Sequence, residues 1–142
     1  MRKVLMAVDN SEHALNAVRF AISLARENGP LSMHLVTAHE EPLLYGEIAV
    51  YETRQKIADL QRQHGEAVLA PAAALLREAG VTFTEEILTG PIAQSLADCA
   101  DRQGCGAIVM GSRGHGAVGS LMLGSVATKV LHLARVPVLL VK

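Results

Sequence analysis

Short apolar runs recur along this chain, and segments of helical periodicity separate them. Val4-Leu5-Met6-Ala7-Val8 is unbroken by any polar residue, which reads as a strand buried on both faces. Leu31–Ala38, Val81–Leu88, Gly106–Met110 and Val136–Val141 read as four more strands, with Val81–Leu88 alternating enough to be less deeply buried. Between the first two, Ala14, Ala17, Val18, Ala21, Ile22 and Ala25 fall at helical spacing, and Asn28-Gly29-Pro30 stops that helix. His39 to Gly46, with Pro42, reads as a loop. Ala49 to Ala79 is helix-favouring, with Ile57, Leu60, Ala67, Val68, Leu75 and Leu76 as its apolar side and Gly80 as its end. Pro71 lies inside it. A proline removes a helix hydrogen bond and collides with the preceding turn, so a kink or break is expected there, from as early as Gly65. Thr89-Gly90-Pro91 turns the chain into a helix over Ile92–Gln103, with Pro91 suited to the first helical position. Val126–Ala134 supplies the last helix. The order β-α-β-α-β-α-β-α-β predicts an α/β fold, a three-layer α/β/α sandwich around a five-stranded parallel sheet. Ligands of such sheets bind beyond the carboxyl ends of the strands. Asp9, Ala38, Gly90 and Gly111 each follow a strand, so they share that edge.

At 142 residues the chain fits one domain, residues 1–142. Aromatic residues make up 3% and Trp is absent, so the core must be Ala, Val, Leu and Ile. A net charge of −1 argues against nucleic acid or a membrane surface as partner. No apolar run approaches the roughly 18 residues of a membrane span. Met1-Arg2-Lys3-Val4 runs directly into a strand, without the pattern of a signal peptide. Cys99 and Cys105 form no CxxC pair and read as small buried or half-buried side chains. A reduced, cytoplasmic protein is expected.

The stretch between the fourth strand and the last helix does not fit the economy of the rest. Fourteen residues, Gly111 to Gly124, join them, and five of these are glycine. Such connections usually take about 2–6 residues. Glycine lets backbone approach a ligand closely, and successive N–H groups in such loops form anion-binding concavities. Ser125 then opens a helix, whose N-terminal N–H groups also attract phosphate. The expected device is a phosphate cradle with two ends, Gly111–Gly114 and Gly124–Ser125. Two familiar phosphate motifs fail on these residues. Gly106-x4-Gly111-Ser112 lacks the lysine of a P-loop. Gly114-His115-Gly116-Ala117-Val118-Gly119 matches G-x-G-x-x-G, but its strand ends four residues too early and no acid follows Asp101.

Gly111-x2-Gly114-x9-Gly124-Ser125 is a third pattern, and in it the chain resembles the ATP-binding branch of the universal stress proteins. Val8-Asp9 with Ser11, Thr89-Gly90-Pro91 and the closing Arg135–Lys142 resemble that family as well, so the likeness covers essentially the whole chain. The resemblance implies an adenine nucleotide alpha hydrolase-like sheet of order 3-2-1-4-5 and a cytosolic regulator of the stress response that binds ATP, ADP or AMP. It implies that backbone around Val8 and Ala38 holds adenine, and that Asp9 meets the ribose or a bound Mg²⁺. Met110 and Gly111 would flank the ribose and the phosphate entrance. Gly114, Gly124, Ser125 and Val126 would hold the phosphates. It implies a homodimer through strand 136–141, a run too apolar for a bare sheet edge. Arg113 and His115 add positive charge beside the cradle, on the residues' own chemistry.

Plainer readings stand beside these. Asp9 could cap the first helix, with Glu12 at capping-box spacing. Ser125 is a natural N-cap, a role compatible with phosphate. The loop could be a linker without ligand, although Val118, Leu121, Met122 and Leu123 argue against pure solvent exposure. None of the histidines has metal-ligand spacing, and His34 and His132 read as structural or surface groups. From Arg102 onward five basic residues stand without an acid, which suits an anionic ligand. No nucleophile and base are readable. Weak ATP hydrolysis, with Asp9 and Ser125 holding a divalent ion, is the most enzyme activity expected. Two other functions fit the same sheet: an interaction protein without nucleotide, and an enzyme with an adenylyl or flavin cofactor.

Overall fold

The computed structural model describes residues 2–40, 51–113 and 124–142. Along the chain lie β1 (Lys3–Ala7), α1 (Glu12–Asn28), β2 (Ser32–His39), α2 (Tyr51–Glu78), β3 (Phe83–Thr89), α3 (Ile92–Arg102), β4 (Ala107–Gly111), α4 (Ser125–Leu133) and β5 (Val138–Val141). The strands form one sheet of order β3-β2-β1-β4-β5, and every pairing is parallel. Ala7 stands opposite Val36 on one side and Met110 on the other, while Gly111 stands opposite Val141. The carboxyl ends of the strands therefore meet at one edge, and the chain reverses its direction of winding between β1 and β4.

The period of two along β1 divides the core. Val4, Met6 and Val8 pack with Ala14, Ala17, Val18 and Ala21 of α1 and with Leu69, Ala72, Ala73 and Leu76 of α2. Leu5 and Ala7 pack with Ala93, Leu96, Cys99 and Ala100 of α3 and with Ala127 and Val130 of α4. Leu5 and Met6 are wholly buried, each stabilising the fold by about 1.5–3 kcal/mol. The inward faces of the helices are largely alanine. Small side chains seat each helix close to the sheet, so the branched residues of the strands fill the space between.

Of the kink or break expected at Pro71, the break does not occur, for α2 runs from Tyr51 to Glu78 as one helix. Pro71 is exposed, and so is Ala67, whose carbonyl loses the helix partner. Water can satisfy that carbonyl. Leu69, Ala72, Ala73 and Leu76, at i, i+3, i+4 and i+7, hold both sides of the proline on the sheet. Leu60 and Ala67 do not belong to the apolar side as expected; Leu60 is 59% exposed. Gly65 has a packing reason instead. A Cβ there would lie 2.8–3.0 Å from three side-chain atoms of Ile87, so α2 approaches β3 through a missing side chain. Pro91 occupies the cap position before α3, one residue earlier than expected. As expected, β3 is shallow, with Leu88 its one buried residue.

One buried polar group interrupts the α3 side of the sheet. His34 is 4% exposed, with Nδ1 2.6 Å from Thr84 Oγ1 and Nε2 2.8 Å from Glu86 Oε1. Arg102 donates to Glu86 Oε2 at 2.8 Å and, more weakly, to Oε1 at 3.4 Å. The Cys99 thiol donates to the same Oε1 at 3.7 Å. Burial of Glu86 opposes its ionisation, but hydrogen bonds from Arg102 and His34 outweigh it and hold the carboxyl below its ordinary 4.5. A folded-state pKa below the unfolded one stabilises the fold above pH 4.5, and that stability is lost as pH falls through the folded value. Urea titrations from about pH 3 to 7 should show Glu86→Gln less stable than wild type near neutrality. The difference should shrink below pH 4.5. A gap that stays constant with pH would remove the carboxylate from the acid response.

Candidate functional site

Val8 prolongs the pairing of β1, its N–H donating to Val36 O at 2.9 Å. Asp9 then emerges exposed at the edge of the sheet. Its Oδ1 accepts the N–H of Ser11 at 2.9 Å, and Ser11 Oγ accepts the N–H of Ala14 at 3.2 Å. Ser11 is therefore the cap of α1, and Asp9 does not cap as the spacing to Glu12 suggested. The Asp9 carboxylate shapes the turn that delivers Ser11 to the helix, as aspartate does two residues ahead of a backbone N–H.

The first turn of α1 rests on the end of β4. A Cβ on Gly111 would lie 2.8 Å from the carbonyl carbon of His13, 2.9 Å from its Cβ and 3.0 Å from the nitrogen of Ala14. Two of these atoms are backbone, so only glycine admits the helix this close. Ser112, 7% exposed, comes next. Its N–H donates to Val141 O and its carbonyl accepts the N–H of Gly124, both at 2.8 Å. The chain that leaves β4 is thus tied at its neck to the chain that enters α4. Gly124, with φ −65° and ψ 156°, holds the cap position, and no side chain caps the helix. Ser125 is the first residue of α4 rather than its N-cap, and it is exposed. Val126 is half-buried against the α3–α4 layer. An uncapped helix start presents N–H donors and the positive end of a dipole, which suits an anion.

Met110 is 7% exposed and packs in the α3–α4 layer, where half-buried Ala38 also packs, opposite Leu88. Gly90, with φ 135°, donates its N–H to His39 O at 3.0 Å and closes the turn beyond β3. Val8, Asp9, Ala38, Met110, Gly111, Gly124, Ser125 and Val126 therefore all lie at the carboxyl edge or at the helix start joined to it. Gly114 and His115 lie outside the described residues.

Arg113 stands at the neck, its Nη2 3.0 Å from Nε2 of His13. A guanidinium can only donate, so Nε2 accepts and the ring proton sits on Nδ1. That Nδ1 is buried without a hydrogen-bond partner, as is Nε2 of His39 at the end of β2. Burial, reinforced by His64, lowers the pKa of His39. Metal-ligand spacing gave no reason to place His13 at the site. The contact spans a hundred residues, and nothing local in the sequence signals it. The positive stretch after Arg102 contributes less here than its charges suggest. Arg102 is taken by Glu86, and Arg135 pairs with Asp101 at 3.4 Å.

Gly111→Ala should cost about 1–3 kcal/mol of stability, because α1 must withdraw from β4. Urea unfolding measures it, and a variant as stable as wild type would show that α1 retreats freely.

A family model described as the universal stress protein family matches residues 1–142. A universal stress protein of Thermus aquaticus is 34% identical over 142 residues, covering 99% of this chain and 98% of that protein. Among solved structures, a universal stress protein of Lactobacillus plantarum superposes with a TM-score of 0.82 at 18% identity, covering 99% of this chain and 97% of the other. One from Archaeoglobus fulgidus, in complex with dAMP, gives a TM-score of 0.60 at 27% identity over 100% of this chain and 98% of its own.

Proposed function

The chain belongs to the universal stress protein family, and on that premise we propose that it binds an adenine nucleotide, ATP foremost, at the carboxyl edge of the sheet. The observation that carries the reading is the tied neck: an uncapped start of α4 hydrogen-bonded through Gly124 and Ser112 to the end of β4. The dAMP held by the Archaeoglobus fulgidus relative supports an adenine ligand. In this reading the backbone at Val8 and Ala38 meets adenine, and Asp9 meets the ribose or a Mg²⁺ ion. Met110 and Gly111 flank the entrance, and Gly114, Gly124, Ser125 and Val126 hold phosphate. Arg113 and His115 supply positive charge. The single domain then acts as a cytoplasmic regulator in the stress response, with nucleotide as its signal. One observation favours a protein without ligand: the packing of α1 explains Gly111 with no nucleotide at all.

Two measurements separate the readings. Protein denatured after purification should release adenine nucleotide, identified by anion-exchange chromatography. In calorimetry with ATP and Mg²⁺, wild type should bind and Ser125→Asp should lose at least tenfold in affinity. The aspartate supports the helix start by about 0.3–1 kcal/mol while repelling phosphate, so its failure to bind is not a failure to fold. An empty wild-type protein that ignores millimolar ATP would give the interaction-protein reading its place.

We propose further that β5 pairs with a second copy. It lies at the edge of the sheet, and Leu139 there is 36% exposed. Leu131 and Leu133 of α4 are 44% and 42% exposed, adding apolar surface that water disfavours. Gel filtration of Leu139→Lys should show a monomer where wild type elutes as a dimer; unchanged elution would remove β5 as the contact.

A further inference from the structure

The polar group beneath α3 has more than a structural use. His34, Glu86 and Cys99 come from β2, β3 and α3, and each offers one donor atom: imidazole nitrogen, carboxylate oxygen and sulfur. The three atoms lie within 4.8 Å of one another. From the convergence of these donors we propose that they form a binding site for a zinc-like divalent ion, separate from the edge of the sheet and independent of the nucleotide reading.

The donor set is one that zinc takes. Zinc takes sulfur at about 2.3 Å, imidazole nitrogen at about 2.0–2.1 Å and carboxylate oxygen at about 2.0–2.2 Å in a tetrahedron. Those lengths place sulfur and oxygen about 3.6 Å apart, and nitrogen and oxygen about 3.4 Å apart. Cys99 Sγ and Glu86 Oε1 are already 3.7 Å apart. His34 Nε2 and Glu86 Oε1 stand at 2.8 Å and must part by roughly half an ångström, while the sulfur and the imidazole nitrogen, within 4.8 Å, must close on the ion. Water completes the fourth position.

The surroundings match what ligands of a metal need. A ligating histidine is oriented by a hydrogen bond from its other nitrogen, and Thr84 Oγ1 stands 2.6 Å from His34 Nδ1. A ligating carboxylate is steadied through its second oxygen, and Arg102 holds Glu86 Oε2 at 2.8 Å. The ion takes the place of the hydrogen bonds from His34 and Cys99 to Oε1 and displaces the 3.4 Å contact of Arg102 with that oxygen, and the Arg102 side chain is 53% exposed, with room to swing away. Glu86, 28% exposed, marks the open side from which an ion arrives, whereas His34 is 5% exposed and walls the inner side. Binding releases the Cys99 thiol proton to solvent and converts sulfur to the thiolate ligand, while the neutral His34 ring changes tautomer, giving up the Nε2 proton and carrying one on Nδ1, from which it donates to Thr84 Oγ1. Imidazole and thiolate together select zinc over magnesium or calcium.

Cobalt(II) replaces zinc and reports its ligands by colour, so it is the probe. Purified full-length protein, stripped with chelator, should take up one Co²⁺ per chain with a sulfur-to-cobalt charge-transfer band and the intense visible bands of tetrahedral cobalt. Zn²⁺ should bleach both. Cys99→Ala should lose the charge-transfer band, Glu86→Gln should bind at least tenfold more weakly, and Cys105→Ala should match wild type. Wild type needs no substitution for a second readout: Zn²⁺ should protect Cys99, and not Cys105, from alkylation, as read by mass spectrometry of the peptides. Uptake without the sulfur band, a band that survives in Cys99→Ala, equal alkylation with and without zinc, or no uptake would each overturn the site.

Discussion

The carboxyl edge of this protein depends on how closely α1 approaches β4. Gly111 has no side chain, so the backbone of His13 and Ala14 can lie within about a Cβ's contact distance of the strand. Ser11 starts the helix at the right place and Asp9 bends the chain toward it. The first turn of α1, the end of β4 and the neck of the glycine-rich stretch are therefore one packed unit. Any larger residue at position 111 pushes against backbone, which cannot rotate away as a side chain could.

Most of the architecture was legible because β1, β4 and β5 are nearly pure apolar runs and the helices carry alanine at regular spacing. Burial of a parallel sheet on both faces leaves little else for such a pattern to become. The misreadings fall where the third dimension decides. Pro71 reads as a break in one dimension, but it stands on the solvent side of α2 while four core residues hold the helix down. Leu60 reads as a core residue and is mostly exposed, because the part of α2 that packs most deeply on the sheet begins near Gly65. Ser125 reads as a cap, yet Gly124 takes that position once its N–H is drawn to Ser112.

The two polar clusters were hidden for a common reason. His13 meets Arg113, and His34 meets Glu86, to which Cys99 and Arg102 also bond, across chain separations that no local spacing reveals. A motif is visible in sequence when one loop supplies its parts, as with the glycines. It is invisible when neighbouring strands and a crossing helix each lend one residue. The register that sets Thr84 opposite His34 is a property of strand pairing alone.

Ser112 joins two features otherwise treated apart. Its N–H is bonded to the end of β5 and its carbonyl to the start of α4, so one buried residue links the outer strand and the neck. The lever arm is a single residue, too short to absorb much displacement. A partner that grips β5 and a ligand that grips the neck therefore bias the same geometry. Whatever free energy either contributes toward tightening that joint is felt equally by the other, since such coupling between sites is reciprocal. Were β5 to pair with a second copy, as proposed, that pairing and a ligand at the neck would act on the same short joint.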